Sequence, residues 1–227
     1  RKEFLGNVSH ELKTPIFNIQ GYIATLLDGG LNDEKINKDY LMRAENGVDR
    51  MINIVDDLES ISHLEAGELS LDYEQFDIVK MIQEVFRAEE FKANKKGIAL
   101  RFKDRDSEKE FFVNADRFRL RQVLTNLVTN SINYGNDYGE TVVRVFENEG
   151  KVWIETKDNG RGISETHLPR LFERFYRVDK GRSRNHGGTG LGLSIVKHII
   201  EAHDQVINVS STEGVGTTFV FSLEKAV

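Results

Sequence analysis

Residues 5–26 read LGNVSHELKTPIFNIQGYIATL. Leu5, Val8, Leu12, Ile16, Ile19, Ile23 and Leu26 recur there in alternating steps of three and four, the period of one apolar stripe along an α-helix. Leu41, Ala44, Val48, Met51, Val55, Leu58, Ile61 and Leu64 do nearly the same, and Asp28-Gly29-Gly30-Leu31-Asn32-Asp33 between the two runs reads as a turn. The pattern predicts an antiparallel helical hairpin. Two helices alone bury little surface, so the expected solution is two hairpins pairing into a dimeric four-helix bundle, and the alternative is a single hairpin lying on the rest of the chain. Gly67, free to adopt a left-handed conformation, is expected to end the second helix. That divides the chain into a hairpin domain, 1–67, and a second domain, 68–227.

Beyond Gly67 the periodicity changes. Residues 78–91 read as a helix, and so do residues 118–134, whose seam runs through Leu120, Val123, Leu124, Leu127 and Val128. Residues 98–102 and 111–113 read as strands, residues 141–146 and 152–156 as a hairpin around Asn148-Glu149-Gly150. A helix near residues 191–202 and strands at 206–210 and 217–223 complete an α/β layer, expected to be a sheet covered by helices on one face.

Composition narrows the classes. The 227 residues are 39% hydrophobic and 30% charged, as in ordinary globular proteins. A net charge of −6 without a lysine-rich face argues against nucleic acid as a partner. No cysteine is present, which excludes disulfides and thiolate metal sites and fits a reducing compartment. No apolar run approaches the roughly 18 residues of a membrane span, and no signal peptide is visible. The chain opens on Arg1 already in helical pattern. The expectation is a cytoplasmic fragment of a longer, membrane-anchored parent, itself making no membrane contact.

His10, in Ser9-His10-Glu11-Leu12-Lys13-Thr14-Pro15, lies about 200° round the helix from seam residues Val8 and Leu12 and so points to solvent. A neutral imidazole keeps a lone pair on one ring nitrogen and is a competent nucleophile near neutral pH. Glu11 beside it can take the proton from the other nitrogen. Pro15 withdraws a helical partner from the Glu11 carbonyl, so a bend is expected beside the nucleophile. Taken alone, an exposed helical histidine needs no function. A zinc protease is excluded, because Thr14 stands where a second histidine would be required.

The second domain supplies the context. Asn126 and Asn130 are one helical turn apart on one face. The Asn130 amide oxygen suits Mg²⁺ held against triphosphate oxygens. Asp158, ahead of Gly160 and Gly162, suits a hydrogen bond to the exocyclic amine of adenine, with backbone close to the base. Gly187-Gly188-Thr189-Gly190-Leu191-Gly192-Leu193 precedes a helix and offers backbone N–H groups to phosphates. It is neither a P-loop, lacking the Lys-Ser or Lys-Thr, nor a dinucleotide fingerprint. Residues 180–186 read as a basic lid seated by Phe172 and Phe175, with Arg177 in reach of a γ-phosphate.

These four motifs, in this order and spacing, resemble the catalytic core of bacterial sensor histidine kinases of two-component systems, over nearly the whole chain. The resemblance implies an α+β architecture: a dimerisation and phosphotransfer hairpin, then a Bergerat-type α/β sandwich that binds ATP and Mg²⁺. By position, His10 matches the phosphoacceptor, Glu11 its acid/base partner, and Thr14 the residue that places water during dephosphorylation of the partner. Asn130 matches the Mg²⁺ ligand and Asp158 the adenine reader, with Gly160 and Gly162. Asn126 and Tyr134 flank the nucleotide. Phe172 and Phe175 match the phenylalanine box, and Gly188, Thr189, Gly190, Leu191 and Gly192 the second glycine box. The implied partners are a response-regulator receiver domain and a second copy of the chain.

Two positions depart from the family. Asn133 stands where a lysine or arginine is usual, which removes a candidate phosphate cation. Asp204-Gln205 stands where two glycines are usual, and the expected consequence is structural. His63, His167, His186, His198 and His203 match no catalytic position and are left to surface or packing roles. The expected reaction is phosphoryl transfer from ATP to His10 and on to an aspartate of the response regulator, mostly by positioning and charge neutralisation. Two rivals remain: an ATPase of the chaperone or mismatch-repair type, and a pseudokinase scaffold, which Mg²⁺-dependent ATP affinity would separate.

Overall fold

The computed structural model describes residues 2–65, 70–103, 110–178 and 188–226. The hairpin is built from α1 (Lys2–Leu27) and α2 (Asn37–Glu65), joined by a turn and a short 3₁₀ segment, Gly30–Asn32. Gly29 carries the reversal with φ +102°, where a side chain is strained, and Gly30 is buried beneath it. α1 runs unbroken through Pro15, so the bend expected there does not interrupt the helix. Of the hairpin's described apolar side chains, only Pro15, Leu26, Ile54 and Ile61 are buried. Ile16, Phe17, Ile23, Leu41, Met42, Val48, Ile52 and Val55 remain exposed along the two helices.

The remaining elements are β1 (Tyr73–Asp77), α3 (Ile78–Lys95), β2 (Ala99–Phe102), β3 (Phe112–Asp116), α4 (Arg117–Tyr134), β4 (Glu140–Asn148), β5 (Lys151–Asp158), α5 (Gly192–Ala202), β6 (Ile207–Thr212) and β7 (Gly216–Glu224). Five strands form a mixed sheet in the order β2-β4-β5-β7-β6, with β2 parallel to β4 and the other pairs antiparallel. β4 and β5 bury every second residue, the period of a sheet covered on one face. Val143, Val145, Ile154 and Phe221 on that face meet Leu120, Leu124 and Leu127 of α4 and Ile195 and Ile199 of α5 in one core. The β4–β5 turn is Glu149-Gly150, both at positive φ (51° and 76°), the two-residue hairpin that Asn-Glu-Gly suggested.

The sequence reading missed β1. Only its last two residues are buried, so it carries no alternation, and it exists through antiparallel pairing with β3, Tyr73 opposite Asp116. Both strands of this small sheet end in an aspartate that caps a helix: Asp77 accepts from Val79 N at 3.0 Å and Asp116 from Arg119 N at 3.0 Å. α3 also runs one turn beyond the predicted residue 91, and Lys96 past its end holds the last carbonyls of α4. Its Nζ donates to Ile132, Asn133 and Gly135 at 2.8–2.9 Å. Gly67 and residues 180–186, expected as a helix stop and a lid, lie outside the described residues.

His203 is buried at the end of α5. Its Nε2 accepts from Asp116 N at 3.0 Å and its Nδ1 donates to the Ile199 carbonyl at 2.8 Å, so the ring is neutral and ties α5 to the β3–α4 junction. Burial pushes its pKa below the ordinary 6.5. The stability it lends is therefore fully present above that value and is lost as the pH falls from there toward the folded-state pKa. Unfolding free energies from urea titrations at about pH 7.5 and about pH 5.5 should differ more in the parent protein than in His203→Gln. The neighbouring departure is absorbed as expected: Asp204 takes the left-handed conformation at φ 57°, and buried Gln205 bonds Ser222, Lys151 and Glu224.

Candidate nucleotide and phosphoacceptor site

A cavity of about 600 Å³ opens between α4, the end of β5 and the start of α5. Its wall includes Asn126, Asn130 and Tyr134 of α4, Asp158 at the end of β5 and Gly162 beyond it, Arg177, and Gly188, Thr189 and Gly190 leading into Gly192, the first residue of α5. α4 delivers its two asparagines because its other face, Leu120, Leu124, Leu127 and Val128, is locked in the core. Asn133, in place of the family's cation, lines the same wall.

Asp158 is 8% exposed. Its Oδ1 accepts from Gly160 N at 2.8 Å and Thr217 N at 3.3 Å, which fixes the carboxylate in one orientation. Burial pushes its pKa above the usual carboxylate range, and these two donors pull it back. Gly162 makes the turn after it possible: with φ +67°, an added Cβ would sit 2.0 Å from the Thr212 carbonyl oxygen. Arg161 lies over the Tyr134 ring, 5.0 Å from its centroid.

Four residues expected to touch nucleotide stand behind the wall. Gly160 closes against α4, where an added Cβ would be 2.6 Å from the Tyr134 carbonyl oxygen. Leu191 is fully buried beneath the glycine loop. Phe172 packs edge-on to Phe219, centroids 6.4 Å apart. Phe175 holds φ 61° and bonds Gly190 O through its backbone N at 2.8 Å. The phenylalanines seat the segment leading into Arg177 and pack against the core, as large apolar rings next to it must.

The hairpin reaches this cavity. Asn46, Asn53 and Asp57 of α2 lie on its wall, and Asp57 accepts a hydrogen bond from the Thr189 hydroxyl at 2.7 Å. Burial pushes the Asp57 pKa up, against the Thr189 bond. His10 is exposed on α1, as the helical wheel requires, and Thr14 Oγ1 donates to the His10 carbonyl at 3.2 Å. Glu11 Oε2 is held by Arg50 Nη2 of α2 at 2.9 Å and faces Arg177 Nη2 at 3.6 Å. Arg177 is deeply buried, so desolvation lowers its pKa while Glu11 raises it. Arg50, Asp57, Asn46 and Asn53 were not found from sequence, because no local motif marks a hairpin residue that faces another domain.

Of the other histidines, His167 Nδ1 lies 2.6 Å from the Tyr176 hydroxyl and His198 pairs with Arg174, both structural ties. Among the described residues no helix is long and apolar enough to cross a membrane, and no cluster of three metal-binding side chains occurs.

Comparison with known proteins agrees with this geometry. Residues 1–67 match the family model of the His Kinase A (phospho-acceptor) domain, and residues 115–227 that of the histidine kinase-, DNA gyrase B- and HSP90-like ATPases. The sensor histidine kinase WalK of Bacillus subtilis is 36% identical over 98% of this chain, which spans 36% of that relative's length. Among solved structures, the histidine kinase AdeS of Acinetobacter baumannii superposes with a TM-score of 0.76 at 27% identity, covering 96% of this chain and 98% of its own. The catalytic domain of the histidine kinase ThkA is 31% identical at a TM-score of 0.60, over 68% of this chain and 97% of that one. ThkA in complex with the response regulator TrrA matches at 0.70 and 26% identity, over 99% of this chain and 61% of that one. ShkA in complex with AMPPNP matches at 0.72 and 27%, over 99% and 46%. The chain therefore belongs to the sensor histidine kinase family and spans the part of it that carries the phospho-acceptor and ATPase domains.

Proposed function

We propose that this chain transfers the γ-phosphoryl group of ATP to His10 and passes it to an aspartate on a response-regulator receiver domain. The observation that carries the reading is Arg177, which lines the nucleotide cavity and at the same time faces Glu11, the neighbour of His10. One side chain thus spans the distance between the phosphate donor's pocket and the acceptor.

The wall suits ATP. Asp158, fixed through Oδ1, would accept from the adenine amine, Tyr134 and Arg161 would flank the base, and the glycine backbone lies so near α4 that a Cβ on Gly192 would be 3.2 Å from Asn126 Oδ1. The Asn130 amide oxygen would hold Mg²⁺, which neutralises charge on the leaving diphosphate. A lone-pair nitrogen of His10 forms the N–P bond as the bond to the β-γ bridging oxygen breaks and ADP leaves. Glu11 takes the imidazole proton. The second transfer breaks the N–P bond and forms an acyl phosphate on the receiver's aspartate. Thr14, one turn after His10, places the water when the same protein removes that phosphoryl group. The ThkA–TrrA complex supports the response-regulator partner, and the exposed Ile16, Ile23, Val48, Ile52 and Val55 support a homodimer through the hairpin.

The test is incubation with γ-labelled ATP and Mg²⁺. The expected product is an acid-labile, alkali-stable label on the chain that leaves when a receiver domain is added. ATP hydrolysis without label on the chain would instead favour an ATPase.

A further inference from the structure

The Glu11 carboxylate is shared by two guanidiniums. Arg50 Nη2 is the nearer at 2.9 Å, Arg177 Nη2 the farther at 3.6 Å, and all three side chains are largely buried, at 14%, 6% and 17% exposure for Arg50, Arg177 and Glu11. Arg50 and Arg177 repel each other across the carboxylate they share. Only one of the two is anchored where Glu11 is: Arg50 sits on α2, packed against α1 within the hairpin. Arg177 belongs to the other domain and lines the nucleotide cavity. A polyphosphate entering that cavity offers Arg177 more negative charge than a carboxylate it shares.

Adjacent residues on a helix diverge by about 100°. Glu11 therefore reaches the His10 ring only in a selected rotamer, and an unheld glutamate would sample several. Resting on the phosphoryl-transfer reading above, we propose that Arg50 is a positioning residue for autophosphorylation: it keeps the Glu11 carboxylate in place when Arg177 leaves it for the nucleotide's terminal phosphate. Arg50 never touches ATP. It acts through Glu11, restricting the base to the hairpin surface beside the nucleophile. Misplacement of a catalytic group by about 1 Å costs on the order of a hundredfold.

The experiment is a double-mutant cycle on the full chain as a dimer, with steady labelling by γ-labelled ATP. Arg50→Ala should lower kcat about ten- to a hundredfold and leave KM for ATP unchanged. Arg50→Lys, which keeps a cation at the contact, should recover most of the loss. In a Glu11→Gln background, where no carboxylate is left to hold, Arg50→Ala should cost nothing further. Arg50→Met keeps the apolar stem and serves if the alanine variant fails to fold. Equal losses in both backgrounds, or a raised KM with kcat intact, would overturn the assignment while leaving the kinase reading standing. No acid-labile label on the parent protein would sink both.

Discussion

His10→Gln is expected to bind ATP as the parent does and to carry no phosphoryl group at all. The imidazole is solvent-exposed and lies off the cavity wall, so its replacement removes neither packing nor a nucleotide contact. Glutamine is a good helix former, and a surface change away from caps or buried networks shifts stability by no more than about 0.5 kcal/mol. The loss of label should be complete, because the residue removed is the atom that forms the bond. Glu11→Gln should instead leave a residue of activity, reduced by about 10²–10⁴, the usual contribution of a general base. Of the other histidines with described side chains, His203 is buried with both ring nitrogens engaged, His167 is held by Tyr176 and His198 by Arg174. Nucleotide titration, thermal unfolding and acid-labile label measured on one preparation decide the matter. Label persisting on His10→Gln would displace the phosphoacceptor to another residue.

Asp158→Asn is expected to lower affinity for ATP by about two to three orders of magnitude while the domain stays folded. Asparagine keeps one oxygen for the two backbone donors, Gly160 N and Thr217 N, which hold Oδ1 in the parent. The amide NH₂ must then face the adenine amine, donor against donor, in a buried site. Leaving such groups unpaired discriminates far more strongly than the loss of apolar contact. Alanine is the poorer probe, since it would orphan both backbone donors and unsettle the Asp158–Gly162 turn. Calorimetric titration with ADP and with GDP distinguishes the cause: the variant should lose ADP and gain little for either nucleotide. Unchanged ADP affinity would remove Asp158 from the base-reading role.

Much of the fold was legible because its information is local. The three-and-four spacing of the hairpin, the alternation of β4 and β5, and the Asn148-Glu149-Gly150 turn each act over a few residues. β1 was not legible, since its existence depends on β3, more than a helix away. The site divides the same way. Asn126 and Asn130 line one cavity wall because a helix fixes the spacing, and Asp158, Gly162 and the glycines leading into α5 stand there because their turns admit few other residues. Phe172, Phe175, Gly160 and Leu191 belong to the same motifs yet support the wall from behind. A motif shows that a residue is needed, not which side of the wall it occupies.

The exposed histidine of α1, the glycine-rich loops and the α+β architecture were determined by the sequence itself, through periodicity and the backbone demands of particular residues. Only the tertiary structure decided what surrounds the chemistry: Arg50, 39 residues from Glu11, and Asp57, 132 residues from Thr189. Charged side chains on a helix surface look alike in one dimension, because any of them is satisfied by water. Which of them meets a partner depends on how the two helices of the hairpin pack on each other and on the nucleotide domain, a property of no single segment.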